Sequence, residues 1–309
     1  MKKNIERFIV SLQARNCSPN TVRAYQADLD TFLQFAGAEI TPEQVDRSMV
    51  RTYLSHLHEQ GATPRTTQRK RACLKSLLGF LVEESAIKQN PFASLRAAKC
   101  AQELPEIPSQ GELSALLEGD VAGPFPERDR LILELLYGTG VRVQELVGIN
   151  LNDFCGDDVI LVRGKGKKER FVIFGEYAQA ALRAYLPVRT ALLAKQKRST
   201  EALLFGFQNR QTKRLTTRSV VRIVKHVAHS KGLPERHPHA FRHAFATHLL
   251  DGGASIVAIS RLLGHVHLST TERYTRVSVG HMLNAYAHAH PHGSKPTVTA
   301  ELEESHVSA

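Results

Sequence analysis

The sequence predicts a mainly α-helical protein with one small β-sheet, divided into two domains. Apolar residues recur at the three- and four-residue spacing of helices through much of the 309-residue chain. Residues 159–174 instead have the composition of two short strands, 159–162 and 171–174, around a Gly-rich turn. The helical pattern lapses over a proline-punctuated stretch, and the chain is longer than one core usually supports. We therefore expect a domain at 1–86, a linker at 87–108 and a domain at 109–292.

The first domain is predicted to be a helical bundle whose helix starts are marked by capping residues. A Ser or Thr precedes a proline three times, and proline suits the first helical turn. These pairs are Ser18-Pro19, Thr41-Pro42 and Thr63-Pro64. Leucine and phenylalanine side chains at helical spacing then form the core stripes of the bundle.

In the second domain, a helix through residues 131–137 is predicted to break at Gly138-Thr139-Gly140. A new helix begins there with Arg142 in its first turn, where unpaired N–H groups favour anions. Lys165 lies on the basic turn between the two predicted strands. A later helix is predicted to stop at Gly264, directly before His265.

Six residues of the second domain combine into a chemical pattern. They are Arg142, Lys165, His239, Arg242, His265 and Tyr274. Such a set can grip a phosphate and supply a tyrosine nucleophile. Bringing a phenol of pKa near 10 to pH 7 costs about 1.4 kcal/mol per unit, roughly 4 in all, and two guanidiniums beside it offset that cost. Each residue alone also fits an ordinary role, such as a surface lysine on a hairpin or a half-buried tyrosine.

Four segments carry a resemblance to a known family: LYGTGVRVQELVGI, GKGKKER, HAFRHAFATHLL, and LLGH followed by STTERYT. Each is moderately specific, and their occurrence together in this order and spacing is highly specific. By these motifs the chain resembles the tyrosine site-specific recombinases of the phage-integrase family, most closely the bacterial Xer chromosome-dimer resolvases. The resemblance spans about residues 4–292. Small departures, such as Val141 where leucine is common, concern the subgroup and touch no proposed catalytic atom.

The resemblance implies a two-domain, C-shaped clamp on DNA, with an N-terminal helical core-binding (SAM-like) bundle and a C-terminal tyrosine-recombinase catalytic domain. It implies that Tyr274 becomes joined to a DNA 3′ phosphate and that the other five residues form its site. Neither a metal ion, nor ATP, nor another cofactor is expected. The implied partners are double-stranded DNA at a bipartite site and a paralogous XerD-like recombinase, in a heterotetramer that resolves chromosome dimers at cell division.

The fourth predicted helix carries a basic face opposite its leucines, formed by Arg65, Arg69, Lys70, Arg71 and Lys75. In an isolated helix such a face is usually solvated surface. Beside the motifs above, we interpret it as a helix that lies along or within a DNA groove and contacts phosphates. The formal net charge of +11 fits a polyanionic partner, although many basic proteins bind no nucleic acid.

The end of the chain holds an apolar helix face and a histidine tract. The face is formed by Met282, Leu283 and Tyr286. The resemblance implies that this helix docks in a neighbouring subunit, and packing on its own domain is the alternative. The tract is formed by His288, His290 and His292, and we interpret it as a solvated end rather than a metal site. Residues 293–309 are small and polar, which predicts a disordered tail.

Two other functions fit part of the sequence. A recombinase of a mobile element, such as a phage or integron integrase, would share the motifs, but the chain has no evident arm-binding domain and no insertion before His239. A non-catalytic DNA-binding protein would share the basic surface but would not need all six site residues. Four scattered cysteines, no secretory signal and no long apolar run predict a cytoplasmic protein.

Overall fold

The structure, a computed structural model, describes residues 1–92, 107–156, 158–164, 168–208, 211–264 and 276–293, without the side chains of 276–281 and 284. The predictions for Lys165, His265, Tyr274, most of the linker and the tail after residue 293 lie outside the described residues. The chain divides into two compact units, Met1–Glu103 and Leu104–Ala309. Among the described helices, none is long and apolar enough to cross a membrane.

The first unit is a helical bundle, as its apolar spacing predicts. Its helices are α1 (Lys2–Ala14), α2 (Pro19–Ala36), α3 (Arg47–Glu59) and α4 (Pro64–Glu83). The predicted caps of α2 and α4 form, because the hydroxyls of Ser18 and Thr63 accept hydrogen bonds from backbone N–H groups in the first turn. Phe8, Phe32 and Leu77 lie at the centre of the core and are at most 1% exposed.

A helix also starts at Thr41-Pro42, but it is a single 3₁₀ turn, Pro42–Gln44, in which Oε1 of Gln44 accepts the N–H of Thr41 at 2.8 Å. Helix α3 begins at Arg47, and the Asp46 side chain caps it by accepting the N–H of Met49 at 2.8 Å. An aspartate satisfies that N–H as well as threonine does. The core of this unit also includes residues beyond the predicted boundary at 86, since Phe92 is 3% exposed within it.

The second unit contains the remaining described elements. Its helices are α5 (Gln110–Leu117), α6 (Pro126–Thr139), α7 (Val143–Gly148), α8 (Glu176–Lys195), α9 (Thr217–Ser230), α10 (Pro238–Asp251), α11 (Ile256–Leu263) and α12 (Arg276–Ala289). Its strands are β1 (Val159–Arg163), β2 (Glu169–Ile173), β3 (Phe205–Gln208) and β4 (Gln211–Arg214). Both strand pairs are antiparallel, and the register of the first places Arg163 opposite Glu169. The second hairpin was not predicted, because its strands are short and mostly polar.

Helix α6 is the centre of the second unit. Its residues from Leu131 to Leu133 and from Leu135 to Tyr137 are at most 2% exposed. A helix that is buried on all sides has no solvent face, and α6 is packed between α8 and α10. Its C-terminal end therefore provides a fixed point from which the following turn and α7 are placed.

Helix α12 packs against its own unit. Met282 is 5% and Tyr286 3% exposed, in one apolar cluster with Ile173, Phe245 and Leu263. Within this single chain the apolar face is therefore covered in cis, which is the alternative that the sequence left open. Leu283 packs on the same cluster while remaining partly exposed.

The interpretation of the histidine tract as a solvated end is wrong for two of its members. His290 is 4% exposed and packs against Tyr137, at 4.8 Å between ring centroids. His292 lies with Nδ1 3.2 Å from a carboxylate oxygen of Glu134. The chain turns back after α12, with the N–H of Gly293 donating to the carbonyl of His290 at 2.8 Å, and this turn brings both rings onto α6.

We predict that His290 makes the stability of this unit depend on pH. Burial lowers the pKa of His290 to about 3, whereas the unfolded side chain has a pKa near 6.5. Below about pH 6.5 the unfolded state binds a proton that the folded state does not, so the free energy of unfolding falls as pH decreases, by about 1.4 kcal/mol per unit. Replacing His290→Phe removes this titration. Urea unfolding measures the decrease in the free energy of unfolding between pH 7 and pH 5. This decrease should be about 2 kcal/mol smaller in His290→Phe than in the wild type.

The matched control is His243→Gln, an exposed position on α10. It should leave the wild-type pH dependence in place. An unchanged pH dependence in His290→Phe would contradict the prediction.

Candidate active site

The site begins at the turn between α6 and α7. Gly140 has φ 59°, in the left-handed region that favours glycine. A Cβ atom at this position would lie 2.6 Å from Cδ1 of Phe245, so the turn needs glycine for space as well as for conformation. Two residues later Arg142 has an extended backbone and occupies the position that caps α7. Its side chain is 41% exposed, which leaves it accessible from solvent.

Arg242 approaches the same turn from α10. Its side chain is buried, with 8% of the residue exposed. Nη1 donates to the carbonyl of Gly140 at 2.6 Å, and Nη2 donates to the carbonyl of Leu263 at 2.8 Å. These carbonyls lie at the C-terminal ends of α6 and α11, where backbone oxygens lack helical partners and carry partial negative charge. The guanidinium is therefore fixed between two helix ends.

A carboxylate that was not predicted lies beneath Arg142. Glu145 is 3% exposed, and its Oε1 accepts Nη1 of Arg142 at 2.9 Å. Its Oε2 accepts the backbone N–H of Arg142 at 2.8 Å. Glu145 thus both caps the start of α7 and orients the Arg142 side chain. Glutamate at the third position after a helix cap is the sequence signal that could have identified it.

A third arginine, Arg170 of β2, reaches the same carboxylate. Its Nη1 and Nη2 donate to Oε2 of Glu145 at 3.2 and 3.1 Å, and the residue is 9% exposed. Arg170 is not one of the six site residues that the sequence predicts. Its signal was the alternation of the strand, because Arg170 shares a face with the buried Val172, and an arginine on a buried strand face has a specific partner as a rule.

Three guanidiniums thus lie in one region, where Arg170 and Arg242 are buried and Arg142 is accessible from solvent. Burial, together with the smaller effect of the positive charges of Arg142 and Arg170, lowers the pKa of Arg242 to about 10. The group still carries its charge at pH 7. A concentration of positive charge with limited access to water is suited to bind an anion such as a phosphate diester.

The remaining predicted site residues are placed less completely. His239 is exposed in the first turn of α10, the helix that also carries Arg242. Of the residues on either side of Lys165 in the sequence, Gly164 donates its N–H to the carbonyl of Lys168 at 2.8 Å. Lys165 itself lies outside the described residues, as do His265 and Tyr274. The structure therefore brings Arg142 and Arg242 together, and a common site for all six stays a prediction.

The predicted basic face of α4 is divided in the structure. Arg65, Arg69 and Lys75 are exposed. Lys70 is different, since its side chain is 12% exposed and its Nζ lies 3.7 Å from the buried carboxylate of Asp28.

Two of the other side chains also have partners within the first unit. Arg69 forms an ion pair with Asp28, and the guanidinium of Arg71 lies 5.5 Å from the ring centroid of Phe92. Lys70 and Arg71 thus contribute to the packing of this unit. DNA contact by the five residues stays a prediction.

Comparison with known families gives two matches along the chain. Residues 109–281 match the phage integrase family, and residues 5–85 match the phage integrase N-terminal SAM-like domain. The first covers more than half of the sequence and includes the turn, Glu145 and the three guanidiniums.

Curated relatives agree with the family matches. The chain is 40% identical over 294 residues to the tyrosine recombinase XerC of Oceanobacillus iheyensis, which covers 93% of this chain and 95% of the relative. It is also 40% identical to the tyrosine recombinase XerC of Thermodesulfovibrio yellowstonii, over 89% of this chain and 91% of the relative. The similarity therefore extends through both units.

Solved structures show the same fold. A lambda integrase dimer bound to a COC′ core site has a TM-score of 0.67 at 19% identity, covering 86% of this chain and 94% of that chain. The XerH recombinase bound to its difH substrate has a TM-score of 0.62 at 22% identity, covering 93% of this chain and 82% of that chain. Together with the family matches and the curated relatives, these likenesses lead to one conclusion: the chain belongs to the phage integrase family, and it is a tyrosine recombinase of the XerC type.

Proposed function

We propose that this recombinase cuts DNA at a short bipartite site, through a 3′-phosphotyrosyl link to Tyr274, and converts chromosome dimers to monomers at cell division. The observation that carries the proposal is the fixed pair of guanidiniums at the α6–α7 turn. Arg242 is held there by two helix-end carbonyls, and Arg142 is held by Glu145. A preorganised pair of this kind stabilises the charge that develops on a transferring phosphoryl group.

Arg142 and Arg242 bind the two non-bridging oxygens of the scissile phosphate in this mechanism. A guanidinium presents a planar fork of N–H donors that matches two oxygens, which an ammonium does not. Because Glu145 and the helix-end carbonyls fix both groups before DNA arrives, little reorganisation is needed during the reaction.

The phenolic oxygen of Tyr274 attacks phosphorus, and the bond to the 5′ oxygen breaks as the new bond forms. His239 is the candidate base that takes the phenolic proton, and Lys165 is the candidate acid that protonates the departing 5′ oxygen. His265 donates a hydrogen bond to the phosphate. The link preserves the energy of the phosphodiester, so a 5′ hydroxyl of the partner duplex can reverse the step without ATP.

Double-stranded DNA and a paralogous XerD-like recombinase are the proposed partners, in a heterotetramer in the cytoplasm. The solved relatives with this fold include a lambda integrase on its core site and XerH on its difH substrate, which supports DNA as the partner here. The exposed side chains of Arg65, Arg69 and Lys75 on α4 are available for contacts to DNA phosphates.

A mobile-element recombinase is the second candidate function. The Tn1549 transposon integrase shares the fold, with a TM-score of 0.69 at 19% identity, so the fold does not separate the two roles. The XerC relatives at 40% identity favour the chromosomal role. Recombination between two chromosomal sites that requires an added paralogous recombinase would distinguish it from a mobile-element enzyme that recombines alone.

Tyr274→Phe tests the nucleophile directly. The substitution removes one oxygen, so DNA affinity should stay within about threefold of wild type while the covalent protein–DNA complex is lost. A suicide substrate with a nick near the cleavage position traps the complex, which a denaturing gel resolves. Tyr177→Phe, at an exposed tyrosine of α8, is the matched control and should form the complex normally. A covalent product in Tyr274→Phe would place the nucleophile elsewhere.

Arg142→Lys tests the bidentate role. We expect cleavage to slow about a hundredfold, nearly as much as in Arg142→Ala, because the ammonium keeps the charge but loses the fork. This corresponds to roughly 3 kcal/mol of transition-state stabilisation. Single-turnover cleavage rates measure the effect. The control is Arg163→Lys on β1, an exposed arginine with ion pairs to Asp153 and Glu169, and its rate should stay near wild type. A rate within tenfold of wild type for Arg142→Lys would refute the role.

Lys165→Ala tests the general acid. A thiolate leaves without a proton, so replacing the 5′ bridging oxygen by sulfur should restore much of the cleavage that this variant loses on ordinary DNA. The two rates are compared on otherwise identical suicide substrates, with Arg142→Ala as a control that sulfur should not restore. Equal losses of Lys165→Ala on both substrates would show that Lys165 does not deliver the proton.

A further inference from the structure

Glu145 presents a physical problem for the site. A carboxylate that is 3% exposed lies in contact with Arg142, whose charge the proposed reaction directs at the phosphate. A buried carboxylate without another counter-charge would attract that guanidinium strongly and compete with the DNA for it. The site needs the carboxylate, because Glu145 also caps α7 through the backbone N–H of Arg142.

Arg170 supplies a second positive charge beside the Glu145 carboxylate. Its two terminal nitrogens both donate to Oε2 of Glu145, whereas the Arg142 side chain uses Oε1. The carboxylate therefore has a separate oxygen for each guanidinium. We propose that Arg170 is a positioning residue that neutralises Glu145, so that Glu145 holds Arg142 in place without cancelling its charge toward the phosphate. The inference rests on the proposed function, in which Arg142 and Arg242 bind the scissile phosphate.

Two glycines fit this arrangement. A Cβ atom on Gly264 would lie 2.4 Å from Cδ of Arg170, so the arginine stem crosses the end of α11 where only glycine leaves room. A Cβ atom on Gly164 would lie 3.2 Å from Oε1 of Glu145, so the end of β1 also approaches the carboxylate closely. Arg170 thus joins β2, α7 and α11 at one point.

The charge balance supports the same role. Three guanidiniums and one carboxylate leave a net charge of +2 among the described groups of the cluster. A phosphodiester attacked by a phenolate carries two negative charges in its pentavalent state. Without Arg170 the net charge of the cluster falls to +1, and one of the two phosphate-binding guanidiniums is neutralised by Glu145.

The experiment compares Arg170→Met with the double variant Arg170→Met/Glu145→Gln. Methionine keeps a long apolar stem across Gly264 but removes the charge, and glutamine can still cap α7 through its carbonyl oxygen. Single-turnover cleavage of a suicide substrate at saturating protein should fall about a hundredfold in Arg170→Met. The double variant, with its net charge restored to +2, should regain at least tenfold of that loss.

A neutral phosphate gives a readout that a merely structural role would not change. With a methylphosphonate at the scissile position, one negative charge is absent from the reacting group. Arg170→Met should then be less than tenfold slower than wild type on the same substrate. Arg170→Lys, which keeps the charge, should stay within tenfold of wild type on ordinary DNA.

Arg189→Met is the matched control for losing a buried arginine. Arg189 is 5% exposed and donates to the carbonyls of Thr200 and Ala202, so its loss also removes hydrogen bonds within the second unit. At a temperature below its unfolding transition, Arg189→Met should cleave at a rate near that of the wild type. The ratio of its rate to the wild-type rate should be the same on the phosphate and methylphosphonate substrates.

Equal losses by Arg170→Met on phosphate and methylphosphonate, or a double variant no faster than the single one, would overturn the proposal. Thermal unfolding of the two single variants and the double variant measures the coupling of Arg170 and Glu145 without any substrate. A wild-type protein that forms no covalent complex with DNA would refute the proposed function. Absence of coupling between Arg170 and Glu145 in thermal unfolding would refute only the proposed charge compensation.

Discussion

The guanidinium of Arg242 closes the second unit around its functional end. Two of its hydrogen bonds reach the carbonyl of Gly140, which caps α6, and that of Leu263, the last residue of α11. Carbonyls at a helix end lack partners within the helix. Bonds from a charged donor contribute roughly 1.5–3 kcal/mol each, and a lost partner would leave buried carbonyl oxygens unsatisfied. Because α6 is buried along most of its length, the turn at its end gives this guanidinium a well-packed partner. The turn at Gly140, and with it Arg142, is placed relative to that fixed group.

A buried cation between like charges is not at its own electrostatic optimum. Burial and the neighbouring arginines both lower the pKa of Arg242, which means that they disfavour its charged form. A phosphate bound beside this guanidinium would add a negative charge that favours the charged form of Arg242. The same attraction would become stronger as negative charge develops on the phosphorus centre.

Features of the fold that depend on a few neighbouring residues could be predicted from the sequence. Helix caps such as Ser18 and Thr63, the glycine turn before Arg142 and the first hairpin follow from short patterns, and the structure confirms them. Glu145 and Arg170 carry local signals, a glutamate three residues after a helix cap and an arginine on a buried strand face. These signals do not encode the contact between β2 and α7 that makes both residues part of the site.

The same limit applies to two residues outside the site. His290 reads as part of a polar tract, and only the turn after α12 brings it onto α6. Lys70 reads as surface charge, and only the packing of α2 on α4 reveals its buried partner Asp28. The roles of charged residues and histidines depend on their tertiary contacts. Apolar periodicity, in contrast, predicts helices from the sequence alone.

The burial of α12 in cis has a consequence for the population of states. Separating the helix from its unit would expose Met282 and Tyr286, and each such side chain contributes about 1.5–3 kcal/mol when buried. A combined difference of roughly 3–6 kcal/mol leaves less than about 1% of isolated molecules with the helix released. A second molecule that captured α12 would have to offer at least an equal apolar surface. A second molecule that binds weakly therefore leaves α12 packed on its own chain. Only an assembly with a well-matched apolar surface can take up the helix from its own unit.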